Sequence, residues 1–142
     1  MLTKQISVFI ENKPGRLARV TGILRDAEVN IRAISMGDAP DFGIFRLVVN
    51  DTARALRALR ENGFLAEVSD VVAVELADRP GALAEVLQAL ADRDVNVEYM
   101  YASLAEVPGK AVVFLRFEDA HRALNVLAKA GARLVSFGGG LS

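Results

Sequence analysis

The chain of 142 residues contains an internal repeat, and this repeat restricts its fold more than any other feature. The segment ENKPGRLARVTGILRDAEVNI returns later as ADRPGALAEVLQALADRDVNV. The second copy begins 66 positions after the first, so that Gly15 corresponds to Gly81. After residue 40 the offset becomes 68, so that Gly63 corresponds to Gly131. Similarity that keeps its apolar pattern over most of the chain indicates a duplication.

Each copy shows the apolar periodicities of strand, helix, strand, strand, helix and strand, in that order. Apolar residues at every second position predict strands, whereas apolar residues three and four positions apart predict one buried helix face. Second strands are predicted at residues 29–36 and 95–102. The other alternating positions are Ile6, Val8, Ile10, Phe45, Leu47 and Val49, and then Val72, Val74, Leu76, Val113, Leu115 and Phe117. The first helix of each copy is predicted to bury Leu17, Val20, Leu24 and Ala27, or Leu83, Val86 and Leu90.

The order of these elements predicts the fold class. Two units of the order βαββαβ give an α+β protein of two tandem ferredoxin-like modules, with antiparallel sheets and the helices on one face. We expect the modules at residues 1–69 and 70–137, followed by a frayed tail at 138–142. In both copies the second helix is predicted to begin after an aspartate N-cap and to end at a glycine C-terminal cap. These residues are Asp51 and Gly63 in the first copy, and Asp119 and Gly131 in the second.

The composition excludes several classes of function. The chain has no cysteine, which removes disulfides, thiolate nucleophiles and CxxC metal sites. Its 17 basic and 18 acidic residues give a net charge of −1, so that we expect no general attraction to nucleic acid or to an anionic membrane. The start lacks the apolar stretch of a signal peptide, and no apolar run is long enough to span a bilayer. We therefore expect a cytoplasmic protein.

The segments NKPG at residues 12–15 and DRPG at residues 78–81 open the first helix of each copy. Asn12 and Asp78 are suited to the N-cap, and proline is suited to the first turn, so that a single motif of this kind would be explained by helix initiation alone. Glycine in a first turn, however, costs about 0.5–1 kcal/mol relative to alanine. We therefore expect these glycines to let a ligand approach the free N–H groups, where the helix dipole favours a carboxylate or a phosphate.

Asn30 and Asn96 begin the second strand of each copy, fifteen residues after the glycines. One interpretation is a turn residue that tolerates an unusual backbone angle. The other is a side-chain amide that faces a ligand. Because the second strand starts at the far end of the first helix, a module cannot easily bring its own Asn30 to its own Gly15. This geometry favours a site that is shared between neighbouring modules.

The pattern N-x-P-G-x-L followed by V-N-I, within βαββαβ, resembles the ACT domain, an amino-acid-sensing module of metabolic regulation. The resemblance covers nearly the whole chain twice and is strongest to small stand-alone tandem ACT proteins. It implies a non-catalytic regulatory protein that binds a small amino acid between modules and modulates a partner enzyme. It also implies that loop amides hold the ligand carboxylate, while Asn or Asp carbonyl oxygens accept from its ammonium. The implied ligand-binding residues are Asn12, Pro14, Gly15, Leu17 and Asn30, with Asp78, Pro80, Gly81, Leu83 and Asn96 in the second copy.

Two departures from the ACT pattern are visible. The family usually has glycine two residues before the asparagine of the second strand, where this chain has Glu28 and Asp94. Because glutamate tolerates a left-handed backbone poorly, we expect the helix exit to differ. In addition, Asp78 replaces Asn12, so that we expect either two sites of different affinity or one site without a ligand.

Catalysis is one competing function, and we expect the protein not to be an enzyme. The single imidazole, His121, falls on a predicted helix, and without cysteine it leaves no catalytic dyad, no zinc site and no evident cofactor site. Asp38 and Asp41 could pair, but they fall in a predicted hairpin loop. An acylphosphatase-like activity shares this fold class, yet the arginine-bearing anion loop it needs is missing.

RNA binding and a structural scaffold without a ligand are two more competing functions. RNA recognition modules need paired aromatic residues on one open sheet face, and Phe9 and Phe114 fall in different copies. Phe9, Ile44 and Val48 predict instead a partly apolar sheet face, and from it we expect a homodimer. A scaffold that has lost its ligand pocket would carry the same repeat, and the sequence does not exclude it.

Overall fold

The computed structural model describes residues 2–37, 41–104 and 107–137. Within these ranges the chain forms two compact units, built mainly on Lys4–Ser69 and on Asp70–Ser136, which we call the first and the second unit. The predicted tail at 138–142 lies outside the described residues. No helix in the described ranges is long and apolar enough to cross a bilayer.

Each unit has the order βαββαβ, which confirms the predicted α+β class and the two tandem ferredoxin-like modules. The first unit contains β1 (Thr3–Glu11), α1 (Arg16–Asp26), β2 (Ile31–Met36), β3 (Phe42–Val49), α2 (Thr52–Glu61) and the start of β4 (Leu65–Ala77). The second unit contains the rest of β4, α3 (Ala82–Asp92), β5 (Tyr99–Ala102), β6 (Lys110–Arg116), α4 (Ala120–Lys129) and β7 (Arg133–Val135).

The strand order is β2-β3-β1-β4 in the first unit and β5-β6-β4-β7 in the second. In the first unit, Leu47 of β3 lies opposite Ile6 on one side and Ile34 on the other, in antiparallel register. In the second unit, Val74 of β4 lies opposite Val113 and Leu134, again antiparallel. The two sheets therefore repeat the same arrangement.

The alternating strand residues pack against the helices to form one apolar core in each unit. Val20 and Leu24 of α1 are buried in the first core, and Val86 and Leu90 of α3 in the second. Leu17 and Leu83 were predicted on the same buried faces, and this prediction is wrong. They remain 42% and 36% exposed, because each lies in the first turn of its helix, at the rim of the core.

The second helix of each unit has the predicted caps. The Asp51 side chain accepts from the Arg54 N–H at 3.2 Å, and the Asp119 side chain accepts from the Arg122 N–H at 3.0 Å. At the other end, Gly63 and Gly131 have φ values of 82° and 81°, the left-handed conformation that ends many helices.

The first helix of each unit ends in the same way, although no glycine is present there. Glu28 and Asp94 both have φ of 59°. We expected the backbone after the first helix to differ from the left-handed backbone of a glycine, and this expectation is wrong. The reason is a pair of hydrogen bonds that closes each helix. In the first unit, the Glu28 N–H donates to Arg25 O and the Val29 N–H donates to Leu24 O. In the second unit, the Asp94 N–H donates to Ala91 O and the Val95 N–H donates to Leu90 O.

The second strands begin later than predicted, and the same hydrogen bonds exclude their first predicted residues. The N–H groups of Val29 and Val95 are bonded to helix carbonyls and cannot join a strand ladder. β2 begins at Ile31, and β5 comprises Tyr99–Ala102, although the Glu98 N–H already donates to Arg116 O of β6.

Candidate functional site

The loops at residues 12–15 and 78–81 have the same backbone conformation in the two units. Each contains two short-range hydrogen bonds that turn the chain from the end of a strand into a helix. These bonds run from Lys13 N–H to Glu11 O (2.9 Å) and Arg16 N–H to Lys13 O (3.3 Å), and from Arg79 N–H to Ala77 O (2.9 Å) and Ala82 N–H to Arg79 O (3.4 Å).

Glycine occupies the N-cap of both first helices. Gly15 has φ 85° and ψ −10°, and Gly81 has φ 90° and ψ −14°. The expectation that Asn12 and Asp78 cap these helices is therefore wrong, because the turn that follows them delays the first helical residue. The glycines also lie outside the first turn, and the left-handed backbone alone explains why glycine is needed.

Both helix entrances are open to a small ligand. The N-cap glycines provide no side-chain cap for α1 or α3, and the first helical N–H groups, those of Arg16 and Ala82, donate to the loop carbonyls of Lys13 and Arg79. A Cβ built on Gly15 would meet no described heavy atom within 4 Å, and one built on Gly81 would meet only Arg79 Nη1 at 3.8 Å. The positive end of each helix dipole therefore faces accessible space, where a carboxylate is favoured.

The other expected loop residues surround these entrances. Pro14 and Pro80 are exposed. The exposed parts of Leu17 and Leu83 add apolar surface in the first turn of each helix. Each entrance therefore combines the positive end of a helix dipole with an exposed aliphatic side chain.

Asn12 and Asp78 anchor the loops to the neighbouring hairpin. The Asn12 N–H donates to Asp41 O at 3.0 Å, and the Asp78 N–H donates to Gly109 O at 3.0 Å. Both residues are exposed. The two loops are thus held at equivalent places, and they differ by one formal charge.

The structure does not bring Asn30 to the loop of its own unit. Asn30 is exposed beside Asn50, whose side chain accepts from the Asn30 N–H at 2.9 Å while the Asn50 N–H donates to Asn30 O at 3.1 Å. Asn50 precedes the N-cap of α2. Since α1 has 11 residues and rises about 1.5 Å per residue, Asn30 and Gly15 lie at opposite ends of a helix about 16 Å long.

The corresponding residue of the second unit is also separated from its loop. Asn96 is exposed and lines a cleft of about 220 Å³ that also contains Asp94, Glu98 and Glu118. This cleft lies beyond the C-terminal end of α3, whereas Gly81 lies at its N-terminal end. Neither unit by itself joins its asparagine to its glycine loop.

Charged side chains flank both loops, and the sequence pattern did not single them out. In the first unit, the Glu11 carboxylate lies 2.8 Å from Lys13 Nζ and 3.3 Å from Arg16 Nη2. The hydrogen bond from Lys13, with the positive charges of Lys13 and Arg16, lowers the pKa of Glu11 below its ordinary value. In the second unit, Arg79 lies 2.9 Å from Glu85. These contacts cross a turn and leave no periodic signal in the sequence.

Of the three residues weighed for catalysis, two lie in the described ranges. His121 is exposed on α4. Asp38 lies outside the described residues, and Asp41 is exposed. In the described ranges, no group of three or more His, Asp or Glu side chains could hold a metal ion.

The aromatic residues weighed for RNA binding are mostly covered. Phe114 is fully buried and stacks on Tyr101, with ring centroids 5.6 Å apart. Phe9 and Ile44 are partly exposed. Val48 was predicted on the same apolar patch, but it is fully buried. The expected patch is therefore smaller than the sequence indicates.

Comparison with known families agrees with the duplicated fold and its two glycine loops. The family described as ACT domain pair matches residues 1–136. The chain belongs to this family of tandem ACT-domain proteins.

Individual relatives extend this assignment. A solved protein from Bacteroides thetaiotaomicron is 37% identical, with a TM-score of 0.89 over 95% of this chain and 92% of that chain. The regulatory subunit of aspartate kinase from Thermus flavus is 25% identical, with a TM-score of 0.61 over 92% of this chain and 94% of that chain. The acetolactate synthase small subunit of Bacillus subtilis (strain 168) is 25% identical over 118 residues, 76% of this chain and 69% of that protein.

Proposed function

We propose that this protein is a non-catalytic regulator that binds a free amino acid at the two glycine loops and thereby modulates a metabolic enzyme. The observation that supports the proposal most directly is the shared geometry of the two loops. Both copies keep a left-handed glycine N-cap, an exposed helix entrance without a side-chain cap and an exposed leucine in the first turn.

Affinity considerations favour a site that a second module closes. A sensor of a metabolite works at dissociation constants of about 1 μM to 1 mM, or about −8 to −4 kcal/mol. The dipole of an exposed helix end supplies only about 0.3–1 kcal/mol. The remainder must come from direct hydrogen bonds and from the exclusion of water. Because Asn30 and Asn96 lie far from their own loops, the proposal places such an asparagine from a second chain over each bound ligand.

Relatives support the regulatory part of the proposal. The names of two of them describe a regulatory subunit of aspartate kinase and a small subunit of acetolactate synthase. By analogy, this chain acts on a separate enzyme in the cytoplasm. The analogy rests on family membership, and the site residues are proposed from the loop geometry.

A thermal-shift screen against the twenty amino acids tests the proposal. One amino acid should raise the melting temperature, because a ligand at about 100 times its dissociation constant stabilises the native state by about 2.7 kcal/mol. Gly15→Val and Gly81→Val should each remove binding at their own loop, and the double variant should show no shift. Titration calorimetry then counts the sites.

Matched variants separate lost binding from backbone strain. Gly63→Val and Gly131→Val force valine into almost the same φ, but after the second helix of each unit and outside the loops themselves. They should lower the melting temperature but preserve the ligand-induced shift. If no amino acid shifts the wild-type protein, a scaffold role replaces the proposed function. Sedimentation should show a dimer, and a monomer at micromolar concentration would contradict the second-chain closure.

A further inference from the structure

A cleft occurs at the same place in both units, but its chemistry differs between the two copies. It lies where the end of the first strand, the first turns of the first helix and the segment after the second helix meet. Its volume is about 440 Å³ in the first unit and about 250 Å³ in the second. The first cleft is lined by Phe9, Ile10, Glu11, Arg16, Arg19 and Phe42, together with residues 62–65.

The first cleft offers an apolar surface that the protein itself leaves open. Phe42 and Leu65 are 61% and 63% exposed, and Phe9, which lines the cleft with them, is partly exposed. Large side chains that converge in this way are a usual sign of a binding site. The volume falls within the range of small-molecule sites, about 300–1,000 Å³. The cleft therefore fits the apolar body of a small molecule.

Positive charge lies at one side of this apolar surface. Arg16 shares the Glu11 carboxylate with Lys13. Arg19 donates to Asn62 Oδ1 at 3.5 Å, and among the described residues no carboxylate lies within ion-pair distance of its guanidinium group. The lining therefore carries two guanidinium groups against one carboxylate. An arginine of this kind is well suited to hold a carboxylate in two hydrogen bonds.

The second cleft has the opposite character at the equivalent positions. Arg16 and Arg19 are replaced by Ala82 and Glu85, and Phe9 and Leu65 are replaced by Glu75 and Arg133. The charges of this cleft are paired within the protein. Arg79 binds Glu85 at 2.9 Å, and Glu75 binds both Arg133 and Lys110. No charge imbalance is left in this cleft for a ligand to neutralise.

We propose that the first cleft binds a small apolar carboxylic acid and that the second cleft does not. The carboxylate lies against Arg19 and Arg16, and the hydrocarbon part lies on Phe9, Phe42 and Leu65. This site adjoins the first glycine loop through Glu11 and Arg16, but none of the ten residues expected to bind the amino acid lines it. The proposed function involves an amino acid, which is a zwitterion, whereas the ligand proposed for this cleft is an anion.

A titration of the full chain with 4-methylpentanoate tests this inference, and the amide chemical shifts in NMR spectra report the binding. The acid should bind saturably and should shift the amide signals of Phe9, Arg19 and residues 62–65 most strongly, whereas the amide signals of residues 75–86 should not move. Its uncharged amide should bind at least about tenfold more weakly, as expected when a charge-assisted hydrogen bond is lost. Absence of saturation up to about 10 mM, or equal binding of the amide, overturns the proposal.

Variants identify the groups that hold the acid. Arg19→Gln and Phe42→Ala should each weaken binding about tenfold, the first through the carboxylate and the second through the hydrocarbon. Arg25→Gln removes the same charge from the far end of α1 and should leave binding unchanged. An equal loss in Arg25→Gln, or no loss in Phe42→Ala, overturns the assignment. Wild-type melting temperatures in these variants confirm that the fold is intact, and amino-acid binding at the loops should persist in all of them.

Discussion

Glu28 and Asp94 occupy the same left-handed backbone position, with φ of 59° in both, immediately after the first helix of each unit. Each donates its N–H to the carbonyl three residues earlier, and the next residue donates to the carbonyl five residues before it. This pattern is the glycine-type helix ending with a side chain present. The core residues that follow, Val29 and Val95, hold the chain in this conformation although it is strained for a residue with a Cβ.

Glu28→Gly and Asp94→Gly should each stabilise the protein by about 1 kcal/mol, because glycine adopts a positive φ without steric cost. Denaturant midpoints at constant m-value measure the gain. Arg57→Gly places glycine in the interior of α2 and should cost about 1 kcal/mol. A loss of stability in both exit variants would show that their side chains contribute more than the strain costs.

Asp51→Ala and Asp119→Ala should each destabilise the protein by about 1 kcal/mol, because each removes the acceptor of a first-turn N–H. Thermal unfolding followed by circular dichroism measures the effect. Asp26→Ala removes an exposed aspartate that pairs with the adjacent Arg25, and it should change stability by less than about 0.5 kcal/mol. An equally small change in the cap variants would mean that water replaces the caps without cost.

Leu24→Ala and Leu90→Ala should each cost about 2–5 kcal/mol, since both side chains are buried in a core. Leu17→Ala and Leu83→Ala should cost less than about 1 kcal/mol, because these side chains are partly exposed. The same two variants should reduce the ligand-induced rise in melting temperature. A large stability loss from Leu17→Ala would contradict its position at the rim of the core.

Lys13→Ala should raise the pKa of Glu11 toward its ordinary value, because it removes the hydrogen bond and the nearest positive charge. A carboxyl whose pKa is lowered in the folded state adds stability above its unfolded pKa. That stability is lost as the pH falls through the lowered folded value. NMR titration of the Glu11 side chain measures the change. Lys4→Ala, seven residues away along β1 and beyond a Debye length, should have no effect.

Asn30→Ala and Asn96→Ala should weaken amino-acid binding with little change in stability, since both residues are exposed and Asn30 is held by its backbone. Asn50→Ala should instead cost about 1 kcal/mol, because it leaves the Asn30 N–H without its acceptor. Calorimetry and thermal unfolding on the same samples distinguish the two effects. Undiminished binding in both Asn30→Ala and Asn96→Ala would remove these side chains from the proposed site.

Much of the fold could be predicted because its signals are local. The apolar periodicities of strands and helices depend on neighbours a few residues apart, and so do the caps at Asp51 and Asp119. The repeat then assigned the same order to both halves of the chain. The expected loop residues, such as Gly15 and Gly81, were found from the same repeated pattern, and the open helix entrances were found only in the structure.

By itself, the sequence determined the duplication, the element order and the absence of cysteine chemistry, since each is a property of residues near one another along the chain or of composition. Tertiary structure decided which residue caps α1, why Leu17 stays at the rim, and which side chains share a cleft. Phe9, Phe42 and Leu65 meet only because three strands and two helices pack around them. The proximity of these side chains depends on the pairing of strands that are far apart in the sequence and on the backbone angles at each turn, and no local sequence pattern encodes it.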